Sequence, residues 1–79
     1  MIVLLPPIEA DLFRVLAAQA GRVATREALT AAAWEATPSG RALDGRMHAL
    51  RRHLQPIGLV VHTIRGRGFL LSAEEPDPT

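Results

Sequence analysis

The chain of 79 residues contains nine arginines, no lysine, eight carboxylates and no cysteine, and 48% of its residues are hydrophobic. This length predicts one domain, and the apolar content is too high for a disordered segment. Without cysteine there is neither a disulfide framework nor a thiolate metal site, which fits a reducing cytoplasm. No apolar run approaches the roughly 18 residues of a membrane-spanning helix, so we expect no membrane partner.

The net charge of +1 hides an uneven distribution along the chain. Residues 1–40 carry three arginines and four acids, residues 41–67 carry six arginines and one acid, and residues 68–79 carry three acids. A basic segment within a near-neutral chain indicates a surface that binds a polyanion. A solvated arginine face without a partner explains the same pattern, and charge alone does not decide between the two.

The first predicted elements are a short strand and two helices. Ile2–Leu5 is an apolar run of strand type that ends at two prolines. Over Pro7–Gln19 the apolar residues recur at helical spacing, and a proline suits the first turn because no N–H is needed there. Thr25 is the predicted N-cap of a second helix over Arg26–Trp34, which a loop containing proline and glycine follows.

A third helix is predicted from the N-cap Ser39 to His53 or Leu54. Its apolar stripe points to one side, and with the earlier helices it gives a predicted core of Leu12, Phe13, Leu16, Leu29, Leu43, Met47 and Leu50. The opposite side is basic with small residues in its middle: Arg41, Gly45, His48, Ala49 and Arg52. One flank carries Asp44 and Arg51, and the other carries Arg46.

A β-hairpin is predicted at the end of the domain. Leu59–Ile64 is rich in β-branched residues, Arg65–Gly68 is a turn punctuated by glycine, and Phe69–Leu71 begins the return strand. The expected fold is α+β and mainly helical. Residues 1–72 form the predicted domain, and the acidic, proline-containing residues 73–79 form a predicted flexible tail.

Candidate catalytic and metal-binding residues are few. The three histidines, His48, His53 and His62, lack the spacing that places two ligands on one helical face. Asp44 lies four residues before His48 and can form a surface pair with it, but no nucleophile accompanies them. We therefore expect no enzymatic activity, no cofactor and no metal.

Binding to double-stranded DNA explains the basic segment better than catalysis or metal binding does. The major groove admits one helix whose outward face carries arginines and short side chains, as the third helix does. Arg65 and Arg67 at the hairpin tip can reach an adjacent minor groove, where the negative potential attracts arginine. Single-stranded RNA is disfavoured because the sheet offers too few aromatic side chains for stacking.

Four sequence blocks, in order and at compatible spacing, resemble the OmpR/PhoB-type winged-helix DNA-binding domain of bacterial response regulators. They are L-P-P-I-E-A at residues 5–10, G-R-V-A-T-R-E-A-L from residue 21, R-A-L-D-G-R-M with L-R-R-H-L in residues 41–54, and T-I-R-G-R-G-F-L-L at residues 63–71. The resemblance implies a winged helix-turn-helix with a three-helix core, a C-terminal hairpin wing and a short N-terminal strand. It implies no phosphoacceptor receiver domain within this chain.

The resemblance also implies a function and a site. The chain would be the DNA-binding domain of a transcriptional regulator in a two-component system, located in the cytoplasm at the nucleoid, and would bind direct repeats as a head-to-tail dimer. The third helix would enter the major groove and Arg65 the minor groove. The implied DNA-binding residues are Arg41, Asp44, Gly45, Arg46, His48, Ala49, Arg51, Arg52, Thr63, Arg65 and Arg67.

The chain departs from the family pattern in several places. Pro6 replaces the usual threonine and removes a capping box with Glu9. Gly45 and Ala49 have no hydrogen-bonding side chain, which predicts sparse direct base readout. The loop before Arg41 is shorter than in relatives, where it can contact RNA polymerase, a further implied partner. Two alternatives therefore stay open. The chain could be a winged-helix module for protein–protein contact or dimerisation, or it could be the excised effector end of a longer regulator.

Overall fold

The computed structural model describes residues 4–74, and these form three α-helices and one three-stranded sheet. In chain order the elements are α1 (Pro7–Ala18), β1 (Val23–Thr25), α2 (Arg26–Ala33), α3 (Ala42–Leu54), β2 (Leu59–Ile64) and β3 (Gly68–Ala73). A 3₁₀ turn, Gln55–Ile57, joins α3 to β2. None of the helices in this part of the chain is long and apolar enough to span a membrane.

The helix starts show where local sequence rules hold and where they fail. The Thr25 hydroxyl accepts a hydrogen bond from the backbone N–H of Ala28 at 3.1 Å, which confirms the predicted N-cap of α2. The predicted N-cap of α3 at Ser39 is wrong, because α3 begins at Ala42. The Ser39 carbonyl instead accepts from Ala42 N at 3.0 Å and closes a turn, in which Gly40 disfavours a helix.

The core lies between the three helices and one face of the sheet. The predicted stripe of α3 is buried, as are Leu12 and Leu16 of α1 and Leu29 of α2. Phe13 is half-buried and packs against this cluster. The sheet contributes Ala24, Val61, Phe69 and Leu71. Because α3 is anchored by one side only, its other side is left for the solvent.

The sheet joins the hairpin to the helices. β2 and β3 pair antiparallel from Leu59 opposite Ala73 to Ile64 opposite Gly68, which confirms the predicted hairpin. The short strand β1, which the sequence did not predict, pairs with the other edge of β3. A side chain at Gly68 would collide with the carbonyl oxygen of Ala24, so only glycine allows this pairing.

The two chain ends are described only in part. The strand predicted at Ile2–Leu5 begins outside the described residues, and Leu4 and Leu5 are not in a strand. At the other end, β3 continues to Ala73, and the Glu74 N–H donates to the Gly58 carbonyl at 2.7 Å. The rest of the predicted tail lies outside the described residues, and its flexibility stays a prediction.

Candidate nucleic-acid interface

The exposed side of α3 holds most of the residues that the sequence analysis selected. Buried Leu43, Met47 and Leu50 fix the rotation of the helix, so the residues opposite them point outward. The exposed set is Arg41 at the N-cap, Asp44, Gly45, Arg46, His48 and Arg52, and Ala49 is half-buried among them. The structure thus presents a continuous surface with small residues between longer basic ones.

The hairpin tip presents two further arginines. Arg65, Gly66 and Arg67 are all exposed, and the Arg67 N–H donates to the Ile64 carbonyl at 2.9 Å to close the turn. Gly66 has a φ of 73°, which glycine adopts without steric cost. The turn therefore points both guanidinium groups outward, as predicted.

The arginines divide by what their guanidinium groups contact. Within residues 4–74, several are exposed and have guanidinium groups that form no hydrogen bond or ion pair, and five of these lie on α3, at its N-cap or at the hairpin tip: Arg41, Arg46, Arg52, Arg65 and Arg67. Arg22, in the turn before β1, is also unpaired in this part of the chain. We call the five residues of α3 and the hairpin the open arginines.

Arg51 is not an open arginine, although the family resemblance implied that it binds DNA. Its Nε–H donates to the Val61 carbonyl at 3.0 Å, and its Nη2 donates to the Thr63 hydroxyl at 3.0 Å. The structure thus brings Arg51 and Thr63, two of the implied DNA-binding residues, into contact with each other. These two bonds hold α3 against β2 and leave three of the five guanidinium N–H groups unused.

Asp44 is paired with Arg26, not with His48. Arg26 at the start of α2 donates two hydrogen bonds to the Asp44 carboxylate, at 2.9 and 3.2 Å. These bonds lower the pKa of Asp44 and raise the pKa of Arg26. The same guanidinium lies 5.7 Å from the centre of the Phe69 ring, so Arg26 links α2 to both α3 and the sheet. This role of Arg26 was not predicted from the sequence.

A second polar contact that sequence reasoning missed joins α1 to α3. Glu9 is 2% exposed, and its Oε1 lies 2.6 Å from Nδ1 of His53, whose side chain is 46% exposed. Glu9 is the single buried charged residue in residues 4–74. Its spacing to Leu12 and Leu16 places it on the apolar stripe of α1, and this was the signal that could have revealed a buried carboxylate.

The other histidines do not extend this contact into a metal site. The Nε2 of His62 lies 2.7 Å from the hydroxyl oxygen of Ser72 on the neighbouring strand, and His48 is exposed on α3. The described part of the chain contains no group of three or more histidine, cysteine or acidic side chains that could hold a metal ion. The unpaired guanidinium groups of the open arginines are thus the groups on this surface that can bind a ligand.

Comparison with known proteins agrees with this geometry. The family described as "Transcriptional regulatory protein, C terminal" matches residues 2–71. Comparison with curated proteins gives no match.

Three solved structures share the fold. The AdeR DNA-binding domain, in complex with an intercistronic region, has a TM-score of 0.79 at 21% identity, over 95% of this chain and 76% of that one. The C-terminal domain of the nisin resistance regulator NsrR has a TM-score of 0.74 at 32% identity, over 87% and 74%. The Klebsiella pneumoniae RstA DNA-binding domain, in complex with the RstA box, has a TM-score of 0.71 at 28% identity, over 89% and 74%. The predicted winged-helix fold class is confirmed.

Proposed function

This chain belongs to the OmpR/PhoB-type family of winged-helix DNA-binding domains of response regulators, and from that premise we propose that it binds double-stranded DNA with α3 in the major groove and the tip of the β2–β3 hairpin in the minor groove. The family consists of transcriptional regulators, in line with the expectation that the chain is not an enzyme. Binding to bacterial DNA would place it in the cytoplasm, at the nucleoid.

One observation carries the proposal. Arg14 and Arg26 are paired with acids and Arg51 with the sheet, whereas the open arginines on α3 and the hairpin offer unused donors. Guanidinium groups that are exposed and unpaired can each bind a phosphate without breaking an internal bond. Two structural relatives, AdeR and RstA, were solved in complex with DNA, which supports the choice of ligand.

The proposed contacts differ along the surface. Arg41, Arg46 and Arg52 would bind backbone phosphates, and Arg65 with Arg67 would enter the minor groove. Between them Gly45, Ala49 and His48 would face base edges, with little hydrogen bonding to specify sequence.

The residues whose side chains are bonded inside the domain would hold α3 in the position that DNA binding requires. Arg51 and Thr63 would set the distance between α3 and the hairpin, and would not bind a phosphate. Asp44 would fix the start of α3 through Arg26 and would not contact a base.

Salt-dependent binding to a labelled random-sequence duplex tests the proposal. We expect the logarithm of the affinity to fall against the logarithm of salt concentration with a slope of about −3 to −5, for three to five phosphate contacts. Arg65→Ala should weaken binding most for duplexes with an A·T-rich flank. Arg14→Ala is the matched control, because Arg14 pairs with Asp11 on α1, away from α3 and the hairpin. Absence of binding by the wild-type chain at low salt and high micromolar concentration would refute the proposal.

A second candidate function is docking of a protein partner on the segment between α2 and α3. A groove of about 500 Å³ lies along α2 and this segment, lined by Ala31 of α2, the half-buried Trp34 and Thr37 among others. RNA polymerase and a second copy of the domain on a direct repeat are the partners that the family pattern suggests. Trp34 is the one tryptophan of the chain, so its fluorescence reports directly on occupation of this groove. A Trp34 emission spectrum that is unchanged on adding polymerase, after the emission of polymerase alone is subtracted, would refute the first partner. An unchanged spectrum on raising the domain concentration on DNA would refute the second.

A further inference from the structure

The contact between Glu9 and His53 fixes the hydrogen positions on the imidazole ring. A carboxylate can only accept, so the ring nitrogen 2.6 Å away, Nδ1, carries the hydrogen and donates it. Because Glu9 is almost fully buried, this bond also supplies the partner that a buried carboxylate requires. Nε2, the other ring nitrogen, has no hydrogen-bond partner among residues 4–74. It is an acceptor when the ring is neutral and a donor when the ring is protonated.

The exposed part of His53 borders an open depression on α3. This depression has a volume of about 270 Å³ and is lined by Ala49, Arg52 and His53. Ala49 leaves the space open because its side chain is a single methyl group. Arg52 is an open arginine, so the depression already holds one strong phosphate donor.

We propose that this depression receives a phosphate of the DNA backbone, bound by Arg52 and by His53, and that His53 takes up a proton when the DNA binds. The proposal rests on the proposed DNA-binding function. Neutral Nε2 would turn a lone pair toward a phosphate oxygen, whereas protonated Nε2 donates a hydrogen bond to it. The proton comes from solvent, and the resulting imidazolium lies between two anions, the phosphate and the Glu9 carboxylate.

The charges around His53 are arranged for proton uptake on binding. The charged groups next to His53 are the Glu9 carboxylate on α1 and Arg52 on α3. The turn Gln55–Ile57 that follows has no ionisable side chain. On β2, the ring of His62 contacts the Ser72 hydroxyl. A bound phosphate neutralises Arg52 and adds a negative charge, so binding shifts the balance toward the protonated ring.

The test is the affinity of the 79-residue chain for a labelled random-sequence duplex at constant ionic strength. For the wild-type chain we expect about three- to tenfold tighter binding near pH 6 than near pH 8, because a protonated ring donates a hydrogen bond to the phosphate and a neutral ring does not. His53→Gln should remove this difference. His53→Arg should bind equally well at both pH values, because an arginine keeps its charge and can still donate to Glu9.

Two other variants separate the histidines. His62→Gln removes a histidine that contacts Ser72 and should keep the full pH difference. His48→Gln tests the other exposed histidine of α3. If its loss removes the pH difference while His53→Gln keeps it, the assignment to His53 is overturned.

The two proposals fail in different ways. If the wild-type chain binds no duplex at either pH, the proposed function is wrong and this inference falls with it. If the chain binds but His53→Gln retains the pH difference, only the role of His53 is wrong. Circular dichroism at both pH values checks that each variant is folded. If His53→Gln is unfolded, the pH dependence of DNA binding by His53→Arg decides whether His53 has the proposed role.

Discussion

The two flanks of α3 carry similar charged residues but use them differently. On one flank, Asp44 is bonded to Arg26 of α2, and Arg51 is bonded to Val61 and Thr63 of β2. Arg46 on the other flank and Arg52 on the outward side of the helix have exposed side chains that are unpaired within the described residues. The bonded flank, with Asp44 and Arg51, fixes the position of α3, and the rest of the exposed surface is available to a ligand.

This difference shows why charge along a sequence is an incomplete guide to a binding surface. Arg51 and Arg52 are adjacent in sequence, yet one holds the domain together and the other faces solvent. An arginine whose donors are already used would have to break internal bonds to bind DNA fully. We therefore expect the stability of the fold to depend on the bonded flank, and the affinity for DNA to depend on the open arginines.

Disrupting the sheet to which the bonded flank is attached should give the largest effect. In Gly68→Ala the added methyl would collide with the Ala24 carbonyl and separate β1 from β3. We expect a loss of about 3 kcal/mol in the free energy of unfolding, measured in urea. Gly66→Ala is the control, since its Cβ would meet no atom within 4 Å and only the positive φ is strained. It should cost about 1 kcal/mol, and equal losses in the two variants would contradict this account.

Arg51→Ala should lower the free energy of unfolding by about 1–2 kcal/mol, because the Val61 carbonyl and the Thr63 hydroxyl lose their donor. Arg46→Ala on the other flank should change it by less than about 0.5 kcal/mol. Urea titrations of both variants measure the contrast. An Arg51→Ala domain as stable as the wild type would show that the bonded flank does not hold α3.

Arg52→Ala should show the reverse pattern. We expect a roughly tenfold loss of affinity for duplex DNA, about 1.4 kcal/mol, because one phosphate contact disappears. The free energy of unfolding should stay unchanged. Fluorescence anisotropy at fixed salt measures the affinity, with Arg14→Ala as the variant that should bind like the wild type. Equal affinity of Arg52→Ala and Arg14→Ala would remove Arg52 from the interface.

Gly45→Ala should stabilise the domain by about 0.5–1 kcal/mol, because glycine is a poor residue in a helix interior. A Cβ at Gly45 would meet no atom within 4 Å, so the fold itself does not require glycine there. Gly58→Ala should not stabilise, since Gly58 has a φ of 78°. Thermal melts of the two variants should therefore shift in opposite directions, and a lower melting temperature for Gly45→Ala would contradict the exposed position of this residue.

The smallest effect concerns the ion pair of Asp44 and Arg26. Hydrogen bonds from Arg26 lower the pKa of Asp44, so the pair stabilises the fold above the unfolded-state pKa of the aspartate. That contribution is lost as pH falls through the lower folded-state pKa. The two side chains are 42% and 55% exposed, which limits the contribution to less than about 1 kcal/mol. The stability difference between wild type and Asp44→Asn should vanish in acid, and a difference independent of pH would contradict this.

Patterns with a short range in sequence were predicted well. The stripe of α3 repeats every three or four residues, and the hairpin has two strands joined by a glycine-containing turn, so both could be read locally. The start of α3 was misplaced because Ser39 is a good N-cap by residue type, but its carbonyl closes a turn instead. β1 was missed because three residues with one buried side chain, Ala24, show no alternating pattern.

Contacts between distant residues were beyond reach for a different reason. Arg26 and Asp44 are 18 residues apart, and Glu9 and His53 are 44 apart, so only the packing of the helices brings them together. The sequence identified which residues are charged and which side of α3 they occupy. The division into bonded and open arginines depends on tertiary contacts that no local pattern contains.

The salt dependence of DNA affinity in the wild-type chain, Arg52→Ala and Arg51→Ala tests the central claim most directly. The account predicts that Arg52→Ala reduces the magnitude of the slope by about 0.9, which is the loss of one phosphate contact. Arg51→Ala, measured under conditions where it is folded, should keep a slope close to that of the wild type. An unchanged slope in Arg52→Ala together with a reduced slope in Arg51→Ala would contradict the account.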